Sequence, residues 1–143
     1  MALKKVAGML STPSSTDVFS SDNDPEFVGE ALPFAIKLYE TLLASLPDHA
    51  GLRLRAGSLY IMYANAFVET PADTTPRRDI ETKEYLLARA KNLYLRGRDM
   101  LFVSLEKKNP AIRAQLKDRK YKEAMAPFGK EDVTLLYWTA LGW

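Results

Sequence analysis

Residues 59–68 read LYIMYANAFV, a stretch that is apolar at every position except Asn65. A helix that is apolar on all sides has to be covered on several sides, so this stretch predicts the central helix of an all-α protein. We expect that helix over about residues 50–68. If Asn65 is buried it needs a hydrogen-bond partner, either in the Asp22–Asp24 segment or in a tyrosine. The alternative is that Asn65 contacts a bound ligand.

A helix is predicted before this stretch, over about residues 25–45. Asp24 can cap its free amides, Pro25 fits its first turn, and Glu26 complements its dipole. Pro33 is expected to kink or break the helix. Its apolar residues follow three- and four-residue steps, the helical period: Ala31, Ala35, Leu38 and Leu42, with Ile36, Tyr39, Leu43 and Leu46 alongside.

A loop and a long helix are predicted after the central stretch. Residues 70–81 contain two prolines and are expected to form the loop. The long helix covers about residues 80–108, where Ala90, Gly97 and Ser104 form a small-residue row that lets a neighbouring helix approach closely. Short helices over 111–126 and a last helix after Lys130 bring the total to about five to seven. Residues 1–23 are predicted as an N-terminal tether with a short helix, and 24–143 as the helical domain.

Composition limits the possible functions of the 143-residue chain. Its formal net charge of +2 gives no reason to expect a nucleic-acid partner, and no stretch is apolar enough to span a membrane. The charge is uneven, since residues 1–50 carry three basic and seven acidic side chains, whereas residues 83–113 carry eight basic and three acidic ones. This pattern is either a set of solvated helix faces or a dipolar surface that steers a charged partner or a neighbouring subunit.

Catalytic and metal-binding motifs are not found. The chain has no cysteine and one histidine, His49, so neither a catalytic triad nor a histidine metal cluster can be built. No glycine-rich phosphate loop occurs, and the carboxylate pairs are interpreted as helix caps. We therefore expect a binding protein without catalytic residues, metal or cofactor, and not an enzyme.

Candidate binding residues come from aromatic and polar side chains on the predicted helices. Arginines seven positions apart share a helix face and suit carboxylate recognition, although a solvated stripe has the same spacing. Aromatic residues can line a cleft, although core packing is the more common role. The candidates are Tyr60, Tyr63, Asn65, Arg89, Asn92, Arg96, Tyr137 and Trp138.

A tetratricopeptide pattern is present at moderate strength. Such repeats place Gly and Tyr in a first helix, then Ala-x3-Phe/Tyr, then Pro at the hairpin end. The pattern predicts antiparallel helical hairpins that stack as an α-α solenoid with a concave binding surface. The matching positions are Ala35, Tyr39, Leu42 and Pro47, then Gly57 and Tyr60, then Phe102, Leu105 and Pro110.

Five segments together resemble the T component of tripartite ATP-independent periplasmic (TRAP) transporters: FSSDNDPE (19–26), ALPFA (31–35), MYANAFV (62–68), RAKNLYLRG (89–97) and LYWTALGW (136–143). The resemblance implies a periplasmic tetratricopeptide-type lipoprotein that docks the TRAP substrate-binding protein. It also implies a trimer with clefts for a small organic acid or hydrophobic ligand. The lipid-anchoring cysteine of the family is absent here, and the family pattern makes 24–143 the N-terminal part of a longer solenoid. The alternative is a general tetratricopeptide adaptor that binds a peptide on its concave face.

Overall fold

The structure, a computed structural model, describes residues 2–12 and 18–143, and the regular elements in these ranges are all helical. This confirms the all-α prediction. The tether predicted over residues 1–23 includes residues 1 and 13–17, which lie outside the described residues. No helix in the described ranges is both long and apolar enough to cross a membrane. The α-helices are α1 (Ala2–Leu10), α2 (Pro25–Ser45), α3 (Ala50–Ala64), α4 (Thr70–Thr74), α5 (Ile80–Lys108), α6 (Ile112–Lys117), α7 (Tyr121–Met125) and α8 (Val133–Leu141).

Helix α2 begins as predicted. The Asp24 carboxylate accepts a hydrogen bond from the backbone N–H of Phe27 at 3.1 Å, and Pro25 occupies the first turn. The helix continues through Pro33 without a break. A proline inside a helix removes one backbone hydrogen bond. Leu32 and Ile36, on either side of it, are buried in the core, and this packing keeps the helix continuous.

Helix α3 is the central helix, packed between α2 and α5. Its contact with α5 is close because glycines face each other: a methyl group on Gly97 would lie 2.7 Å from the carbonyl oxygen of Gly57. The predicted small-residue row therefore does bring two helices together. Helix α3 begins at His49, whose Nδ1 accepts a hydrogen bond from the backbone N–H of Leu52 at 3.2 Å. His49 is thus a structural cap at a turn.

The prediction of a loop over residues 70–81 is wrong for residues 70–74, which are helical. Helix α3 passes into a π-helical turn, Asn65–Glu69, and then directly into α4. Pro71 explains the wide turn, since it has no N–H to donate and its ring would clash with the carbonyl oxygen four residues earlier. The Thr70 N–H instead bonds the Asn65 carbonyl oxygen, which also accepts from Thr70 Oγ1 at 2.9 Å. The connection that remains is short, and Asp79 caps α5.

The C-terminal helices form a second small core. Phe102 and Leu105 of α5 pack with Ile112 of α6 and Ala124 of α7. Helix α8 lies against both α5 and α3, so it covers one side of the central helix pair. This placement of α8 forms the clefts described below.

Candidate functional site

The predicted site residues occupy two separate places in the fold. Four of them form a cluster between α2, α3 and α5, which we call the tyrosine–arginine cluster: Tyr60, Tyr63, Arg89 and Arg96. Three others line a cleft between the π-turn and α8: Asn65, Tyr137 and Trp138. Asn92 is exposed and belongs to neither place.

Glu40 of α2 organises the tyrosine–arginine cluster. Its Oε1 accepts a hydrogen bond from the Tyr60 hydroxyl at 2.7 Å and from the Arg96 guanidinium at 3.1 Å. Its Oε2 is paired with Lys37 at 2.7 Å. The Arg96 guanidinium also lies over the Tyr60 ring, 4.6 Å from its centroid. Glu40 was missed by the sequence analysis, because the pairing joins residues 56 positions apart.

The titration behaviour of this cluster follows from these contacts. Burial acts to raise the pKa of Glu40, but hydrogen bonds from Lys37 and Tyr60 and the nearby positive charges outweigh it, so the pKa is lowered. Burial, together with the Glu40 carboxylate, strongly raises the pKa of Tyr60. At neutral pH the Glu40 carboxylate is therefore ionised and the Tyr60 phenol is protonated. These are the states in which the phenol can donate its hydrogen bond to the carboxylate.

Arg89 is held more loosely than Arg96. Its guanidinium donates to the Tyr63 hydroxyl at 3.2 Å and lies 5.7 Å from the centroid of that ring. No carboxylate among the described residues pairs with it. Tyr63 stacks on Phe67 at 5.8 Å, and Phe67 fills the space beside Gly29 of α2. Tyr63 and Phe67 therefore have the packing role given above as the alternative to a ligand site.

The second place, which we call the Tyr94 cleft, is an open cavity of about 360 Å³. Tyr137 and Trp138 meet edge to face at 5.5 Å on its α8 side, and Tyr137 is 57% exposed. Asn65 is the one amide on the lining, and it lies in the π-turn. The lining consists of Ile61, Met62, Asn65, Ala66, Tyr94, Tyr137, Trp138 and Leu141. Aromatic walls with few polar groups are typical of small-molecule sites.

Tyr94 separates this cleft from a second cavity of about 390 Å³, since it lines both. Its hydroxyl donates to Glu69 Oε2 at 2.5 Å. Burial, followed by the hydrogen bond to the Glu69 carboxylate, raises the pKa of Tyr94 to about 12, and the Asn65 side chain opposes the rise. Asn65 itself is exposed, so the burial that would require a hydrogen-bond partner for its amide does not occur. The phenol remains a donor at neutral pH.

A family model described as TRAP transporter T-component matches residues 21–143. The chain belongs to this family. An uncharacterised protein of Treponema pallidum (strain Nichols) is 37% identical over 137 residues, which is 94% of this chain. The chain spans 42% of the length of that relative.

In this T-component the sequence analysis missed Glu69 and Tyr94. Glu69 lies between the predicted central helix and the predicted loop, and Tyr94 lies in the segment 89–97 that carries the family resemblance, so no motif singles out either residue. Thr70 followed by Pro71 at the end of an apolar helix was the available signal, since a proline there favours a π-turn, and such turns occur frequently at functional sites. Within residues 2–12 and 18–143, no group of three or more His, Cys, Asp or Glu side chains is placed to hold a metal ion.

Proposed function

We propose that this chain is a periplasmic scaffold component of a TRAP transporter that docks the substrate-binding protein, and that it is not an enzyme. The family match over residues 21–143 is the observation that carries the proposal. In the native form we propose a tetratricopeptide-type solenoid that is lipid-anchored and assembles as a trimer. These properties follow from the family resemblance.

The charge distribution supports a docking role for α5. Residues 83–113 carry eight basic and three acidic side chains. Several of these bases are already paired within the chain, such as Arg96 with Glu40 and Lys107 with Asp48. Arg89 is exposed and has only a tyrosine hydroxyl as its partner, so it is available to a carboxylate on another protein. We propose that it contributes to the docking surface.

The Tyr94 cleft supports a ligand-binding role. Tyr137 and Trp138 offer aromatic surface, and the Asn65 side chain offers both a donor and an acceptor. This combination suits a small organic acid, with its carboxylate at Asn65, or a hydrophobic ligand against the two rings. We propose that the substrate-binding protein exchanges such a ligand with the chain.

Capture of the partner tests the docking proposal. The full-length form, immobilised at neutral pH, should retain the TRAP substrate-binding protein of the same organism, and light scattering should give the mass of a trimer. Arg89→Glu should reduce the capture, whereas Glu81→Gln, a change at the exposed start of the same helix, should not. If the full-length form fails to retain the substrate-binding protein but binds peptides from an unbiased library, the chain is a general adaptor and the proposal is wrong.

A further inference from the structure

The cavity on the other side of Tyr94 carries two opposite charges that do not pair. We call it the Glu69 cavity. It has a volume of about 390 Å³ and lies between the π-turn, α5 and the end of α8. Its lining consists of Glu69, Leu87, Ala90, Lys91, Tyr94, Leu95, Leu141, Gly142 and Trp143.

Glu69 and Lys91 both line this cavity, yet neither forms an ion pair with the other or with another described residue. The Glu69 carboxylate is partly buried and accepts one hydrogen bond, from the Tyr94 hydroxyl to Oε2. Oε1 therefore keeps its capacity to accept. The raised pKa of Tyr94 is consistent with a phenol that stays protonated and holds the carboxylate in place.

The charged side chains in the C-terminal half of α5, from Arg96 onward, are paired within the chain. Arg96 is paired with Glu40, Arg98 with Asp99, and Lys107 with Asp48. Glu69, which is half-buried, and Lys91, which is exposed, instead share one concave surface without an ion pair between them. A cation stabilises a partly desolvated carboxylate. A positively charged group on a ligand would therefore interact favourably with Glu69.

The rest of the lining is apolar. Leu87 and Leu95 lie on the α5 side, and Leu141 and Trp143 lie at the end of α8. A ligand that satisfied both charges would have a hydrocarbon surface beside it. The volume is at the lower end of the range for small-molecule sites, so the ligand is small.

We infer that the Glu69 cavity binds a small zwitterion with a hydrocarbon side chain, of the α-amino-acid class. Its ammonium group meets Glu69, its carboxylate meets Lys91, and its side chain packs against Leu141 and Trp143. This extends the ligand-carrying part of the proposed function, on which it rests, to a second cavity and a further ligand class. The site is separate from the surface proposed for docking.

Isothermal titration with three matched probes tests the zwitterion requirement. L-leucine carries both charges, L-leucinamide keeps only the ammonium group, and 4-methylpentanoate keeps only the carboxylate. We expect leucine to bind, and each of the other two to bind at least about tenfold more weakly, since each loses one charge-assisted contact. No leucine binding, or equal binding of the three probes, would overturn the inference.

Two variants test which residue contacts each charged group of the ligand. Glu69→Gln should lower the affinity for leucine about tenfold, because the ammonium group no longer has a counter-ion. The affinity of this variant for leucine should then be close to the affinity of the parent for 4-methylpentanoate. Lys91→Met should also lower the affinity for leucine about tenfold, to about the affinity of the parent for leucinamide. Lys91→Arg keeps the positive charge and should retain leucine binding. Glu81→Gln and Lys83→Met lie on the same helix outside the cavity and should bind leucine as the parent does. A loss in these controls equal to that in the cavity variants would contradict the assignment.

Circular dichroism on each variant establishes that it is folded before titration. Capture of the substrate-binding protein is measured on the same preparations. If Glu69→Gln loses leucine but still captures the partner, the cavity assignment stands independently of docking. If the parent captures the partner and binds no leucine, the zwitterion site is wrong while the docking proposal survives.

Discussion

The tyrosine–arginine cluster and the Tyr94 cleft both use tyrosines and polar side chains of α3 and α5, but their carboxylates differ in the number of partners. In the cluster, Glu40 accepts from Tyr60 and Arg96 and pairs with Lys37. Beside the cleft, Glu69 accepts from Tyr94 alone. Tyr60 and Arg96 of the first region therefore have a charged partner within the chain, whereas the second region leaves polar and aromatic surface open. Residue type and helical spacing do not distinguish structural residues from binding residues in these two regions. The presence of a hydrogen-bonding or charged partner on a third helix does distinguish them.

The largest expected difference between the two regions is in stability. Tyr60 is 2% exposed, so Tyr60→Ala should lower the free energy of unfolding by about 3–5 kcal/mol, as for other buried aromatic residues. Tyr137 is 57% exposed on the wall of the cleft, so Tyr137→Ala should change the free energy of unfolding by about 0.5 kcal/mol or less. Urea denaturation of the two variants measures both values. Similar losses in both would show that the cleft wall is part of the core.

The next effect concerns Glu40 and depends on pH. Glu40→Gln removes the charge shared by Tyr60 and Arg96 and should cost about 2 kcal/mol at pH 7. The folded-state pKa of Glu40 is lowered from 4.5, so the stabilisation is fully present above pH 4.5 and is lost as the pH falls through the folded-state pKa. The gap between the parent and the variant should therefore close in acid. A gap that is constant from pH 7 to pH 3 would show that the charge contributes nothing.

Much of the fold was predictable because it depends on local chemistry. The cap at Asp24, the end of α5 at Asn109 and the close approach at Gly97 follow from short stretches of sequence, and the structure confirms each. The loop predicted over 70–81 from its two prolines is wrong for residues 70–74, which are helical. Pro71 is accommodated by a wider helical turn, in which the Thr70 N–H bonds the Asn65 carbonyl oxygen, and not by a break.

The candidate site was less predictable, because it depends on which distant residues meet. Tyr60 and Arg96 were singled out as ligand contacts, but Glu40, on a different helix, engages both. Asn65 is exposed on the wall of the cleft, so the condition on which its predicted need for a partner rests is not met. The pairing of Tyr94 with Glu69 depends on the register of the π-turn against α5, which no local pattern contains. Helical period gives the face of each residue, and the relative placement of the helices comes from the whole core.

A smaller effect is expected at the boundary between the two cavities. Tyr94→Phe keeps the ring and removes the hydroxyl that donates to Glu69, so it should cost about 1 kcal/mol in urea denaturation. Tyr39→Phe, which removes the hydroxyl that donates to the Leu10 carbonyl oxygen at 2.9 Å, is a matched control of similar expected size. Only Tyr94→Phe should weaken the binding of leucine. Equal binding by the two variants would place the ligand away from Glu69.

The smallest stability effect should be at Arg89, which lies in the cluster but has no carboxylate partner among the described residues. It is exposed and makes one 3.2 Å bond to the Tyr63 hydroxyl, so Arg89→Met should change the free energy of unfolding by about 0.5 kcal/mol or less. Arg96→Met should cost more, about 1 kcal/mol, because it leaves Glu40 short of a partner. Capture of the substrate-binding protein should show the reverse order, with the larger loss for Arg89→Met, because a cation without a carboxylate is the one that another protein can use. If Arg96→Met reduced the capture more than Arg89→Met at equal folded fraction, the docking surface would have to include Glu40 and Arg96. A charged partner within the chain would then not be the property that separates structural residues from binding residues in this fold.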